Sequence, residues 1–175
     1  MTRTLVTGGV RSGKSAHAEA LMRVQPGPVT YVAPGPSYDD ADWATRIARH
    51  RAARPEHWTT VETRDVAAAL ATSRQPVLVD CLGTWLQGTL DEADLWEAPF
   101  EVVHARIAEA CDAVAAALAE VTYDVVLVTN EVGLGLVPEH RSGRIFRDLL
   151  GEVNQRVAAV CDEVHLVVAG RVLRL

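Results

Sequence analysis

Thr4-Leu5-Val6-Thr7 followed directly by Gly8-Gly9-Val10-Arg11-Ser12-Gly13-Lys14-Ser15 decides how the rest of the chain is read. The second stretch fits G-x-x-x-x-G-K-[ST], a loop whose backbone N–H groups cradle phosphate. Gly8, Gly9 and Gly13 are expected to supply positive φ and close backbone approach. Val10, Arg11 and Ser12 complete the ring of amides. Lys14 brings a point charge to the β- and γ-phosphates, and the Ser15 hydroxyl suits Mg²⁺. A helix starting near Lys14 aims its positive dipole end at the same anion. A glycine-rich turn arising by chance is the competing reading. The apolar run before the loop and the helical run Ala16 to Met22 after it favour the nucleotide.

Working outward, apolar runs at Val29–Ala33, His57–Glu62, Val77–Asp80, Tyr123–Asn130 and Glu163–Val168 read as strands. Helical periodicity marks Asp39–Ala53, a short helix capped by Asp65, Leu82–Leu90, Glu101–Glu120 and Arg141–Cys161. Val103, Ile107, Cys111, Val114, Leu118 and Val121 make one apolar helix face, core rather than chemistry. The run at Tyr123–Asn130 is apolar enough to be buried on both faces, as in a parallel sheet. The alternation predicts an α/β fold: one P-loop NTPase domain of RecA-like type over 1–175. Its sheet is mostly parallel and flanked by helices, with Arg171–Leu175 added antiparallel after Ala169-Gly170.

With 175 residues and 49% apolar content, the chain can bury one sizeable core. No apolar stretch reaches the ~20 residues of a membrane span, and no signal peptide is visible, so a cytoplasmic location is the default. Cys81, Cys111 and Cys161 are odd in number and widely spaced, which argues against a disulfide framework. A net charge of −6 argues against a general nucleic-acid binder.

Ligands of open α/β sheets sit at the carboxyl ends of strands. Asp80 ends an apolar run and either holds Mg²⁺ opposite Ser15 or caps the next helix. Asn130 and Glu131 end another strand and could touch substrate. Arg46, Arg49, Arg51 and Arg54 crowd His50. The cluster is either a solvated helix face or a second phosphate site whose cations keep His50 neutral and nucleophilic. His17, His57, His104, His140 and His165 lack such a setting and read as structural.

Together the residues carry a resemblance that runs along essentially the whole chain. Its motifs are the opening loop and Arg46-Ile47-x-x-His50-x-x-x-Arg54-Pro55-x-x-Trp58-x-Thr60-x-Glu62. Val126-Leu127-Val128-Thr129-Asn130-Glu131-Val132-Gly133-x-Gly135-x-Val137-Pro138-Glu139 and Phe146-Arg147-Asp148 through Val153-Asn154-Gln155-Arg156 extend it. The chain resembles the bifunctional adenosylcobinamide kinase / adenosylcobinamide-phosphate guanylyltransferase family of cobalamin biosynthesis.

The resemblance implies two reactions. A nucleoside triphosphate, ATP or GTP, phosphorylates adenosylcobinamide. GTP then donates GMP to that phosphate through a guanylylated histidine, here His50, giving adenosyl-GDP-cobinamide and pyrophosphate. It implies that Lys14 serves catalysis with His50. Ala33, Arg51, Arg54, Glu62 and Asp80 join the loop in binding nucleotide, Ser15 and Asp80 bind Mg²⁺, and the assembly is a homotrimer. Three positions depart from relatives. Ala33-Pro34 stands where Ala-Thr is frequent, Asp80 replaces a glutamate found in some, and Arg49 replaces a second histidine. A simple P-loop small-molecule kinase and a nucleotide-sensing NTPase are the alternatives, but both leave His50 idle.

Overall fold

A computed structural model describes residues 1–36, 45 and 54–175. The predicted helix Asp39–Ala53, with His50, Arg46, Arg49 and Arg51, lies outside the described residues apart from Thr45, which is helical. Seven strands form one sheet: β1 (Arg3–Gly8), β2 (Thr30–Ala33), β3 (Thr59–Glu62), β4 (Val77–Asp80), β5 (Val125–Val128), β6 (Glu163–Val168) and β7 (Arg171–Arg174). Their order is β3-β2-β4-β5-β1-β6-β7, and every pairing is parallel except β6 with β7. The described helices are α1 (Lys14–Arg23), α2 (Val66–Thr72), α3 (Leu82–Glu92), α4 (Phe100–Glu120) and α5 (Arg141–Ala158).

Strand alternation sorts the core into two layers. Leu5, Val32, Val77, Val79, Val125 and Leu127 face α2 through α5, where Leu86, Leu118, Leu149 and Leu150 are fully buried. Val6, Tyr31, Leu78, Val126, Val128 and Val167 face the other way and meet Ala18 and Met22 of α1. With both faces covered, β5 can be buried at every position, as its Val-Val-Leu-Val sequence predicts.

Element ends follow local chemistry. Asp65 caps α2, its carboxylate accepting from Ala68 N at 2.9 Å. The strand predicted from Tyr123 begins at Val125; just before it the Asp124 carboxylate accepts from Thr2 N and Gln25 Nε2, each at 2.7 Å. The helix predicted to reach Cys161 stops at Ala158. Val160 N and Cys161 N bond the carbonyls three residues back and close the last turn. At the β6–β7 hairpin, Ala169 (φ 49°) and Gly170 (φ 74°) are both left-handed, the two-residue turn whose twist matches the strands.

Leu127→Ala, in the middle of β5 with no exposure, should lower the free energy of unfolding by ~2–5 kcal/mol in a urea titration. A second expectation concerns acid. Arg3 grips Asp162 through Nη2–Oδ1 at 2.8 Å and its own backbone N–H, and holds that carboxyl at about 2. The stability it contributes is complete above the unfolded carboxyl's pKa of ~3.9 and is lost as pH falls through about 2. Thermal midpoints of wild type and Asp162→Asn should therefore separate above that window and approach each other below it.

Candidate active site

The phosphate-type loop lies at the carboxyl end of β1, where Gly8 ends the strand and Lys14 begins α1. Its glycines act differently from one another. Gly13 has φ 96° and sits at the N-cap of α1, a conformation that side chains rarely adopt. Gly8 is needed for close approach: a Cβ there would meet Val167 O at 2.4 Å and Ser12 Oγ at 2.7 Å. A Cβ at Gly9 would meet nothing within 4 Å. Only Gly13 among the three has positive φ, and Arg11 takes φ 56° instead. The expectation of left-handed backbone at Gly8 and Gly9 is thus corrected.

Neighbouring strands hold the loop from both sides. Glu131 N donates to Gly8 O at 3.1 Å from the end of β5, and Gly170 N donates to Ser12 O at 2.8 Å from the β6–β7 turn. Within the loop, Ser12 N bonds Gly9 O at 3.3 Å and Lys14 N bonds Ser12 Oγ at 3.3 Å. Lys14 is buried, its Nζ 3.4 Å from Gly9 O, while Ser15 is half-buried and Val10 and Arg11 are exposed.

Asp80 closes β4, two strands away from β1 with β5 between them. It shares the parity of Leu78, which packs with Ala18 and Met22, so it lies on the α1 face with Ser15. Tyr31 Oη donates to Asp80 Oδ2 at 3.1 Å. Burial first, and the Asp80 charge second, push the Tyr31 phenol up, so it stays protonated and remains a donor. The Arg54 guanidinium stacks on the Tyr31 ring, 3.4 Å from its centroid, and Arg54 Nη1 donates to Thr60 Oγ1 at 2.9 Å. Tyr31 therefore links the second-phosphate candidate Arg54 to the metal candidate Asp80. By sequence Tyr31 reads as part of a buried strand; its hydrogen bond to Asp80 joins residues 49 positions apart.

Cys81 follows Asp80 and precedes α3. Its buried thiol is pushed up by burial first and by Asp80 next, while Thr84 and Lys14 pull it down. Cys81 Sγ lies 3.5 Å from Asn130 Oδ1, and Asn130 O accepts from Asn154 Nδ2 at 3.0 Å. Glu131 Oε1 accepts from Gly133 N at 2.6 Å. Asn130 and Glu131 thus tie β5 to the loop, to β4 and to α5. Ala33 and Glu62 end β2 and β3 opposite each other in register, with Glu62 exposed. His50 and Arg51 lie outside the described residues.

One hydroxyl and one carboxylate suit Mg²⁺, a hard cation that keeps several waters and takes further oxygens from phosphate. No cluster of three His, Cys, Asp or Glu ligands occurs among the described residues. The donor set thus fits a metal shared with nucleotide better than one caged by protein. No described helix is long and apolar enough to cross a membrane.

Residues 4–175 match the family described as Cobinamide kinase / cobinamide phosphate guanyltransferase (CobU). The bifunctional adenosylcobalamin biosynthesis proteins CobU of Escherichia coli (strain K12) and Salmonella typhimurium (strain LT2) are each 42% identical over 176 residues, covering 95% of this chain and 95% of their own. CobP of Pseudomonas aeruginosa, of the same description, is 37% identical over 172 residues, covering 96% and 94%. Among solved structures, an ATPase from the type III secretion system of pathogenic bacteria superposes with a TM-score of 0.59. It is 8% identical and covers 94% of this chain and 50% of that one, a likeness of fold alone.

Gly8→Ala and Gly9→Ala make a paired test of the loop. Gly8→Ala must displace Val167 O or the loop itself, and should weaken nucleoside triphosphate binding at least about tenfold, roughly 1.4 kcal/mol. Gly9→Ala should stay within about threefold of wild type, less than ~0.7 kcal/mol, in the same calorimetric titration.

Proposed function

Because the chain belongs to the cobinamide kinase / cobinamide phosphate guanyltransferase family, we propose that it catalyses both reactions on adenosylcobinamide, the second through a guanylylated His50. The observation that carries the reading is the loop itself. Its Gly8 and Ser12 carbonyls accept from the end of β5 and from the β6–β7 turn, which holds the loop that leads into Lys14, and Asp80 lies on the sheet face that α1 covers.

In the kinase step, the loop amides and Lys14 hold the β- and γ-phosphates of ATP or GTP. The adenosylcobinamide hydroxyl attacks the γ-phosphorus, the bond to the nucleoside diphosphate oxygen breaks, and the hydroxyl proton leaves to solvent. Ser15 and Asp80 would hold Mg²⁺, which when bound supplies positive charge to the phosphate oxygens. Arg54, fixed by Tyr31 and Thr60, is suited to hold phosphate near the nucleotidyl-transfer centre together with Arg51.

In the second step a neutral His50 ring nitrogen attacks the α-phosphorus of GTP, and pyrophosphate departs with the electrons of the broken P–O bond. The ring gives up its other proton as the phosphoramidate forms. An oxygen of adenosylcobinamide phosphate then displaces the histidine, the ring is reprotonated, and adenosyl-GDP-cobinamide is formed. One hard substitution becomes two easier ones. Glu62 would accept from guanine N1–H and N2–H, with Ala33 beside it at the end of β2. The reading includes a homotrimer in the cytoplasm; the exposed Val172 and Leu173 on the edge strand β7 support self-association.

The test is to incubate the protein with α-labelled GTP and Mg²⁺, denature it, and look for label that survives alkali and is released by acid. Wild type should carry label and His50→Ala none, while the variant still phosphorylates adenosylcobinamide. Unlabelled wild type, or equal label in His50→Ala, would overturn the covalent route and leave the simple kinase. Chelation of Mg²⁺ should abolish both labelling and phosphorylation.

A further inference from the structure

On the sheet face that α1 covers, three ionisable side chains form a chain that the proposed chemistry leaves unused. His17 Nε2 lies 2.9 Å from His165 Nδ1, and His165 Nε2 lies 2.9 Å from Glu163 Oε2. The two rings are tilted by 46° with centroids 5.1 Å apart. His165 is wholly buried on β6, opposite Val6 of β1 and two residues before the Val167–Gly8 contact. His17 lies one turn into α1, and its backbone N–H donates to Gly13 O at 2.9 Å.

The ends of the chain assign its protons. The Glu163 carboxylate only accepts, so His165 Nε2 carries hydrogen, and in a neutral His165 ring Nδ1 is then an acceptor. With that tautomer His17 Nε2 is the donor, so the Glu163 contact orders the hydrogens of both rings. No metal-holding cluster occurs among the described residues, so the trio is not read as a cation site.

Glu163 and His165 stand on the hairpin that also grips the phosphate loop. Gly170 N donates to Ser12 O at 2.8 Å, and Val167 O occupies the space a Cβ at Gly8 would need. The hairpin thus meets the loop through its backbone and α1 through His165. We infer that Glu163, His165 and His17 are positioning residues: their carboxylate–imidazole–imidazole chain fixes the first turn of α1 against the C-terminal hairpin, and so sets how the Gly13–Ser15 amides meet a nucleoside triphosphate. The inference rests on the nucleotide-binding role proposed above.

The test compares wild type, His17→Ala, His17→Gln and Glu163→Ala in GTP calorimetry, steady-state kinetics and imidazole ¹⁵N spectra. Glutamine can place a donor near the position of His17 Nε2, and alanine cannot. At metal sites, losing a partner that orients a ligating group weakens binding about 10–100-fold, and the lower end of that range is expected where the oriented groups are loop amides. His17→Ala and Glu163→Ala should therefore raise the Kd and KM for GTP about tenfold with kcat changed less than about twofold, and His17→Gln should stay within about twofold of wild type. In the spectra, wild type should show both rings protonated at Nε2, and Glu163→Ala should lose that fixed pattern. Glu163→Ala, at a half-exposed side chain, keeps the test open if His17→Ala fails to fold. Alanine variants that melt earlier yet bind GTP as tightly as wild type would overturn the inference, as would His17→Gln binding as weakly as His17→Ala. Wild type that binds no GTP would instead overturn the nucleotide reading on which it rests.

Discussion

The structure depends on a backbone approach with no room for a side chain, where β1 runs into its loop at Gly8. Val167 O stands 2.4 Å from where a Cβ would be. That proximity lets β6 continue alongside the loop, so that the turn after it can place Gly170 N on Ser12 O. From the opposite side, Glu131 N reaches Gly8 O. A loop meant to offer its N–H groups to an anion cannot satisfy every polar group internally. Here the Gly8 and Ser12 carbonyls are tied to neighbouring elements, which holds the loop, while Ser12 N and Lys14 N bond within it.

The clamp also arranges the charges. Because β5 stands between β1 and β4, Asp80 faces the loop across the width of a strand rather than lying against it. Tyr31 holds one Asp80 oxygen, and Arg54 lies on the ring behind it. The cation and the carboxylate are therefore related through a protonated phenol rather than joined in a direct ion pair. Stacked on the ring, Arg54 makes its hydrogen bond to Thr60 Oγ1.

Much of this was legible in the sequence, and the reasons are local. The glycines, Lys14 and Ser15 at their spacing mean phosphate wherever a strand precedes and a helix follows. Val-Val-Leu-Val at β5 means burial on both faces, and the four-residue steps of α4 mean one apolar stripe. Asp65 caps α2 because a short acceptor at that point meets a free N–H. The combined motifs of the loop, of Arg46 to Glu62 and of Val126 to Glu139 pointed to the family that the whole-chain matches establish.

What the tertiary structure decided are relations between residues far apart in the chain. The α/β alternation, the phosphate loop, the acid at the end of β4 and the family are each written in residue type and short spacing. The sequence by itself could not show that Gly8 is required by Val167 rather than by its own φ, since that carbonyl lies more than 150 residues further on. Nor could it join Tyr31 to Asp80, or His17 to His165 and Glu163. Taken singly, those residues read as strand filler and structural histidines. Strand order and side-chain parity put them within hydrogen-bond reach, and both are properties of the folded sheet rather than of any stretch of chain.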